Sequence, residues 1–189
     1  MKKTPGTEKR LEIRRDYWPD EDFWTVDNNK GYFSAPRTLP LLLKLLRDKN
    51  LSNNCDPSSV YVELFSRHMG EGVIEMAHEG DHAFAAGYTG TRAVRTWQER
   101  MKLLEELGFI KTKSIGNQTY KYVLLVHPTA VVIELKEKGL IDTQWLEAFR
   151  NRQRDVGDKS YDQRFVTTNN VVPISVAANS AKSSRKKAK

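Results

Sequence analysis

The chain has 189 residues, of which 39% are hydrophobic and 29% charged, enough for one packed domain with polar ends. No apolar run approaches the roughly 20 residues that span a bilayer, the first residues lack the apolar stretch of a secretory signal, and the single cysteine, Cys55, excludes an internal disulfide. We therefore expect a cytoplasmic protein without a membrane partner.

The net charge of +7 comes from the two ends of the chain. Residues 1–15 hold six basic and two acidic side chains, residues 158–189 hold seven and two, and the middle is slightly acidic. Because both ends are polar and lack hydrophobic periodicity, we expect 1–15 and 157–189 to be disordered. The folded domain is expected over 35–156.

Residues 16–34 mix acidic with aromatic side chains, and aromatic residues at this density are rarely left in solvent. We predict an extended arm that packs on the body of the protein. The alternative is an acidic-aromatic docking motif for a partner protein.

The spacing of leucines predicts a helix over 38–49. A second helix is expected to begin near Asp56, a suitable N-cap, with Pro57 at its first position, and to end at Gly70. A short strand follows over 72–76. The inward stripe of the second helix is expected to contain Val60, Tyr61, Leu64, Phe65 and His68.

Residues 81–110 predict a short helix, a turn and a long helix. The short helix, over 82–86, would be capped by Asp81 and end at Gly87. The long helix, from Arg92 to Leu107, would be capped by Thr91. Small residues for a close crossing of the two helices are Ala83, Ala85 and Ala86. The long helix has apolar positions at Val94, Trp97, Met101 and Leu104, and we expect Val94 to anchor its start to the core.

A β-hairpin is predicted next, with strands over 109–113 and 119–126 and a turn at Gly116-Asn117. Helices over 129–138 and 142–153 follow. The expected fold class is α+β, mainly α. A homodimer is expected through 129–153, with Trp145 and Phe149 as contacts.

The order helix, turn, helix and hairpin, with the stretch RAVRTWQERMKLLEELGFI, resembles the winged helix-turn-helix superfamily of bacterial transcriptional regulators and of plasmid and mobile-element replication proteins. The resemblance covers 56–126. It implies a winged helix-turn-helix with additional N- and C-terminal helices and double-stranded DNA as partner, and we expect neither a cofactor nor enzymatic activity. The residues expected to contact DNA are Thr89, Thr91, Arg92, Arg95, Thr96, Glu99, Lys102, Lys111, Lys113, Asn117 and Lys121.

Several alternatives stay open at this stage. Glu99 either accepts a hydrogen bond from cytosine N4 or pairs with a neighbouring cation. A winged domain can also serve as a protein–protein module without specific DNA binding. The basic tail is either a sequence-independent grip on DNA or a solubilising end.

The segment His78-Glu79-Gly80-Asp81-His82 matches the H-E-x-x-H pattern of zinc hydrolases. That chemistry needs both histidines one turn apart on a helix. Because Gly80 and Asp81 suit a loop better than the middle of such a helix, we expect no metal site.

Overall fold

The computed structural model describes residues 5–20, 25 and 30–163. The chain divides into a first unit that ends at Tyr32 and a second unit that begins at Phe33. The first unit contains helix α1 (Pro5–Tyr17), in which no residue is buried.

Residues 5–15 belong to helix α1, contrary to the expectation that the first 15 residues are disordered. The segment is rich in lysine, arginine and glutamate, which are good helix formers. Glu8 in the first turn and Arg14 and Arg15 in the last turn also compensate the helix dipole. Local preference therefore produces a helix without an apolar face. Part of the predicted aromatic arm, including Phe23 and Trp24, lies outside the described residues.

The second unit begins with a helix that covers most of the predicted segment 38–49. The Asp48 side chain accepts a hydrogen bond from the backbone of Asn50 and starts a new, short helix there, which divides the predicted one. The carboxylate of Asp56 accepts the Ser58 N–H at 2.8 Å before the third helix of this unit. His68 was expected to be buried but is only partly buried, because that helix ends one residue before it. These helices are α2 (Leu39–Leu46), α3 (Lys49–Ser52) and α4 (Ser58–Arg67).

Three antiparallel strands form one sheet in the order β1-β3-β2. Val123 in the central strand lies opposite Ile74 on one side and Thr112 on the other. The predicted turn is confirmed, and Gly116 adopts a φ of 56°, a left-handed conformation that favours glycine. The strands are β1 (Val73–Glu75), β2 (Ile110–Ile115) and β3 (Gln118–Leu125).

Two packed helices, α5 (Glu79–Ala85) and α6 (Ala93–Glu106), lie between β1 and β2 in the chain. Helix α5 begins earlier than predicted, so Asp81 lies inside the helix and does not cap it. The two alanines three residues apart, Ala83 and Ala86, are buried, because residues at this spacing share a helix face.

The third alanine of this group, Ala85, is exposed, contrary to expectation, since it points away from that face. The chain turns at Gly87, as predicted, with a φ of 91°.

The last two helices, α7 (Pro128–Glu137) and α8 (Thr143–Asp155), lie close to their predicted positions. The expected dimer contacts on α8 are wrong: Trp145 and Phe149 are 7% and 0% exposed, and their rings stack at 5.1 Å. They pack within the unit, where Trp145 Nε1 donates to Leu41 O at 3.0 Å. A second copy therefore has no access to them.

Residues 158–163 also differ from the expected disorder beyond 157. Asp158 accepts the backbone N–H of Ser160, a helical turn covers 160–163, and Tyr161 is buried. The remainder of that segment, 164–189, lies outside the described residues.

The second unit is an α+β fold, mainly helical, with a small three-stranded antiparallel sheet. One hydrophobic core takes side chains from all seven helices α2 to α8 and from the sheet. Within the described ranges, no helix combines the length and apolar character needed to cross a membrane.

Candidate nucleic-acid interface

Helix α6 is fixed by three side chains that have no exposed surface, Trp97, Met101 and Leu104. All three were predicted to face inward. Val94 was expected to anchor the start of the helix, but it is 36% exposed, and Ala93 packs against the core in its place. The reason is geometric, because a residue four positions before Trp97 shares its face, whereas Val94 is rotated away from it.

The opposite side of α6 carries a continuous line of charged side chains at spacings of three and four residues. Helical geometry places residues at these spacings on one face. All five are exposed to solvent. We call this line the outward stripe, and it consists of Arg92, Arg95, Glu99, Lys102 and Glu106.

Most of the outward stripe is ion-paired within the helix. Arg95 Nε lies 3.4 Å from Glu99 Oε1, and Lys102 Nζ lies 3.6 Å from Glu106 Oε1. Arg92 forms no ion pair with any described residue. Glu99 therefore pairs with Arg95, one of the expected alternatives, and not with Lys102.

Arg100 connects the outward stripe to the body of the protein. Its NH1 lies 3.2 Å from Glu99 Oε2 and 3.4 Å from the Thr96 carbonyl oxygen, and its side chain is 20% exposed. Its guanidinium lies 5.8 Å from the centre of the Tyr88 ring. The Tyr88 hydroxyl is in turn within 3.1 Å of Ser59 Oγ on α4.

The turn between α5 and α6 presents two exposed threonines beside the stripe, Thr89 and Thr91. Thr91 does not cap α6 as predicted, because the N-cap is Arg92 and no side chain bonds the first backbone N–H groups. The Ala93 N–H bonds the Gly90 carbonyl oxygen of the turn. Such a helix start attracts anions.

Three of the residues expected to contact DNA are lysines of the β2–β3 hairpin, and two of them lie on the far side of the sheet. Thr112 faces α6, since its backbone N–H and hydroxyl both donate to Glu105. Neighbouring residues of a strand point to opposite faces. Lys111 and Lys113 therefore point away from α6, beside Leu124 and Tyr122 of β3.

The third lysine, Lys121, is held by Glu75 of β1, with Nζ at 2.7 Å from Oε1. The hydrogen bond to this carboxylate raises the pKa of Lys121. Asn117 lies at the exposed tip of the hairpin. The structure thus brings together the α5–α6 turn and the outward stripe, but it places Lys111, Lys113 and Lys121 elsewhere.

A polar cleft of about 330 Å³ lies between the hairpin tip, the start of α5 and Gln98 in the middle of α6. On its wall, Gln98 Nε2 donates to Glu79 Oε2 at 2.6 Å, and the Tyr120 hydroxyl donates to the Gln98 carbonyl oxygen. Burial raises the pKa of Tyr120, and the carboxylates of Glu105 and Glu79 raise it further. Glu79 is the one carboxylate among the described residues that line this cleft.

The two histidines of the H-E-x-x-H segment are separated by burial. His78 is exposed at the N-cap of α5, whereas His82 is 4% exposed, with Nδ1 3.0 Å from Glu63 Oε1. In the described ranges, no three histidine, cysteine, aspartate or glutamate side chains converge as a metal site. Contrary to our interpretation as a loop, this segment starts a helix, and its second histidine is a core residue.

Sequence inspection missed Arg100 and Tyr88. The sequence analysis assigned no role to Arg100. Its position four residues after Thr96 and one after Glu99 places it between the stripe and the core. Tyr88 belongs to the turn, and its approach to Ser59 depends on tertiary packing, which no local pattern reveals. No protein-family model, curated protein sequence or solved structure matches this chain.

Proposed function

We propose that this protein binds specific sequences of double-stranded DNA as a winged helix-turn-helix protein, in the role of a transcriptional regulator or of a replication or maintenance factor of a plasmid or mobile element. Helix α6 enters the major groove, and the β2–β3 hairpin is the wing. The element order from α4 to β3 and the sheet order β1-β3-β2 support this assignment.

The observation that carries the proposal is the outward stripe. In a DNA-binding helix of this kind, the N-terminal residues contact base edges while the opposite side packs on the domain. Arg92, Arg95 and Thr96 occupy the first turns of α6, and the buried Trp97 holds that part of the helix in place.

Phosphate contacts come from the side chains that surround the helix start. Thr89 and Thr91 can donate from the turn, and Lys102 can leave Glu106 for a phosphate at little cost, because an exposed ion pair contributes less than about 1 kcal/mol. Lys111 and Lys113 take no part, since they face away from α6.

The test is the salt dependence of binding to a duplex selected from a random pool. Each phosphate contact adds about 0.9 to the slope of log affinity against log salt concentration. Replacing Arg92 and Arg95 by alanine is expected to abolish sequence preference and to weaken binding at least tenfold. The matched control, alanine at Lys111 and Lys113, removes the same charge from the far face and should leave affinity and slope nearly unchanged.

Equal weakening by the two double variants would show that only net charge affects binding. Failure of the wild-type chain to select any duplex would refute the proposal, and the domain would then be better explained as a protein–protein module. One observation favours that second function: Val73, Tyr122 and Leu124 expose apolar surface on the sheet face that points away from α6.

A further inference from the structure

We propose that Arg95 is a guanine-selecting side chain, that Glu99 is the residue that positions it, and that Arg100 anchors Glu99. This inference rests on the proposed DNA binding by α6. It adds the base that the helix selects and the contacts that make the selection.

The first argument is the atom through which Arg95 is held. Only its Nε contacts Glu99, at 3.4 Å from Oε1, and its two terminal nitrogens have no partner among the described residues. The side chain is 72% exposed. Guanine offers two neighbouring acceptors, O6 and N7, in the major groove, and a guanidinium contacts both through two parallel N–H groups. The free end of Arg95 is the part needed for that contact.

The second argument is that Glu99 is itself held from the side of the protein body. Its other oxygen, Oε2, accepts from Arg100 NH1 at 3.2 Å. Arg100 also donates to the Thr96 carbonyl oxygen and packs over the Tyr88 ring, so it is fixed by contacts beyond Glu99. The two carboxylate oxygens thus serve two different arginines. Because Glu99 already orients the Arg95 side chain, less side-chain conformational entropy is lost when Arg95 contacts a base.

The third argument is electrostatic. A carboxylate beside Arg95 repels phosphate, which carries a full negative charge, and is less unfavourable to an uncharged base edge. Glu99 therefore disfavours the backbone contact that an unpaired arginine would make. Arg92 has no such carboxylate partner among the described residues, so this restriction applies to Arg95 and not to Arg92.

The experiment measures discrimination separately from affinity. A duplex selected by the wild-type protein is compared with duplexes in which each guanine in turn is replaced by 7-deazaguanine, which lacks the N7 acceptor. We expect one guanine whose replacement weakens wild-type binding roughly tenfold. Arg95→Ala should bind both duplexes equally.

Glu99→Ala and Glu106→Ala form a matched pair, because each removes one exposed acid from the outward stripe and from an i, i+4 ion pair. Both should bind unrelated DNA more tightly than the wild type. Only Glu99→Ala should reduce the guanine discrimination, by at least threefold, while Glu106→Ala retains it. Circular dichroism of each variant confirms that α6 remains folded.

Equal discrimination in the two acid variants would overturn the positioning role of Glu99. A wild-type protein that selects a duplex but tolerates 7-deazaguanine at every position would overturn the guanine assignment and leave the proposed DNA binding intact. A wild-type protein that selects no duplex at all would overturn both.

Discussion

At the scale of single residues, Asp158 determines how the chain leaves α8. Its Oδ1 accepts the Ser160 backbone N–H at 2.8 Å, and its Oδ2 accepts from Gln153 Nε2 at 2.9 Å. Burial alone would raise the pKa of this carboxyl, but the hydrogen bonds from Ser160 and Gln153 outweigh burial and lower the pKa. The ionised carboxylate therefore stabilises the folded state.

The pH dependence of unfolding tests this contribution. Because the pKa of Asp158 is lower in the folded than in the unfolded chain, its stabilisation is complete above the ordinary aspartate pKa of about 4 and is lost as the pH falls through the folded value. Asp158→Asn should lower the free energy of unfolding at pH 7. The difference from wild type should shrink toward pH 2, as urea denaturation can measure, and a difference that stayed constant with pH would contradict the assignment.

The two histidines show what a residue pattern leaves undetermined. The H-E-x-x-H spacing is visible in the sequence, but the direction of each side chain depends on where α5 begins. Since α5 starts at Glu79, His82 lies one turn into the helix and stacks on Trp97 in the core. Its partner Glu63 lies 19 residues earlier, on α4. A contact between residues so far apart in the sequence depends on tertiary packing, so the local pattern could not predict it.

At the scale of elements, α6 was predictable because apolar side chains at helical spacing must face the core. Trp97, Met101 and Leu104 satisfied that rule, and the charged side chains opposite them are exposed. The error at Val94 arose from preferring the larger apolar residue to Ala93. For the hairpin, alternation places Lys111 and Lys113 on one face, but only the contact of Thr112 with Glu105 reveals which face that is.

Gly87 in the α5–α6 turn and Gly80 inside α5 form a matched pair of glycines for a stability measurement. Gly87 has a φ of 91°, and an added Cβ would meet no atom within 4 Å, so Gly87→Ala carries a purely conformational cost of about 1–2 kcal/mol. Gly80 lies inside α5, without a positive φ and with equally open space. Gly80→Ala should therefore stabilise the protein by about 0.5–1 kcal/mol.

Thermal and urea unfolding of the two glycine variants measure both effects. The expected signs are opposite, although the chemical change is the same. Destabilisation by Gly80→Ala, or stability unchanged by Gly87→Ala, would mean that the turn and the helix are not where the structure has them.

At the scale of the whole molecule, α8 packs against α2, the first helix of the second unit. The hydrogen bond from Trp145 to Leu41 connects residues 104 positions apart, and the stacked Trp145 and Phe149 rings lie in the same core as the leucines of α2. The predicted location of α8 was correct, but its apolar face was assigned to a second copy. Sequence periodicity shows that a face is apolar without showing what covers it.

Truncation of that contact tests the internal role of α8. Trp145→Ala should lower the free energy of unfolding by about 3–5 kcal/mol, as expected for a large side chain removed from a packed core. The control is Leu140→Ala in the α7–α8 connection, where the side chain is 50% exposed and the change should stay within about 0.5 kcal/mol. If Trp145→Ala kept wild-type stability but changed the mass measured by sedimentation, Trp145 would be a contact between two copies and not an internal one.

For the DNA binding proposed above, the length of α6 limits how much sequence one chain can recognise. Its 14 residues extend about 21 Å, and only the first turns of such a helix reach base edges. Under that proposal, a single chain would distinguish a word of about four base pairs, which recurs by chance about once in 256 positions. A unique address in a genome requires several such words close together, so clustered copies of the target should recruit this protein far better than one copy alone.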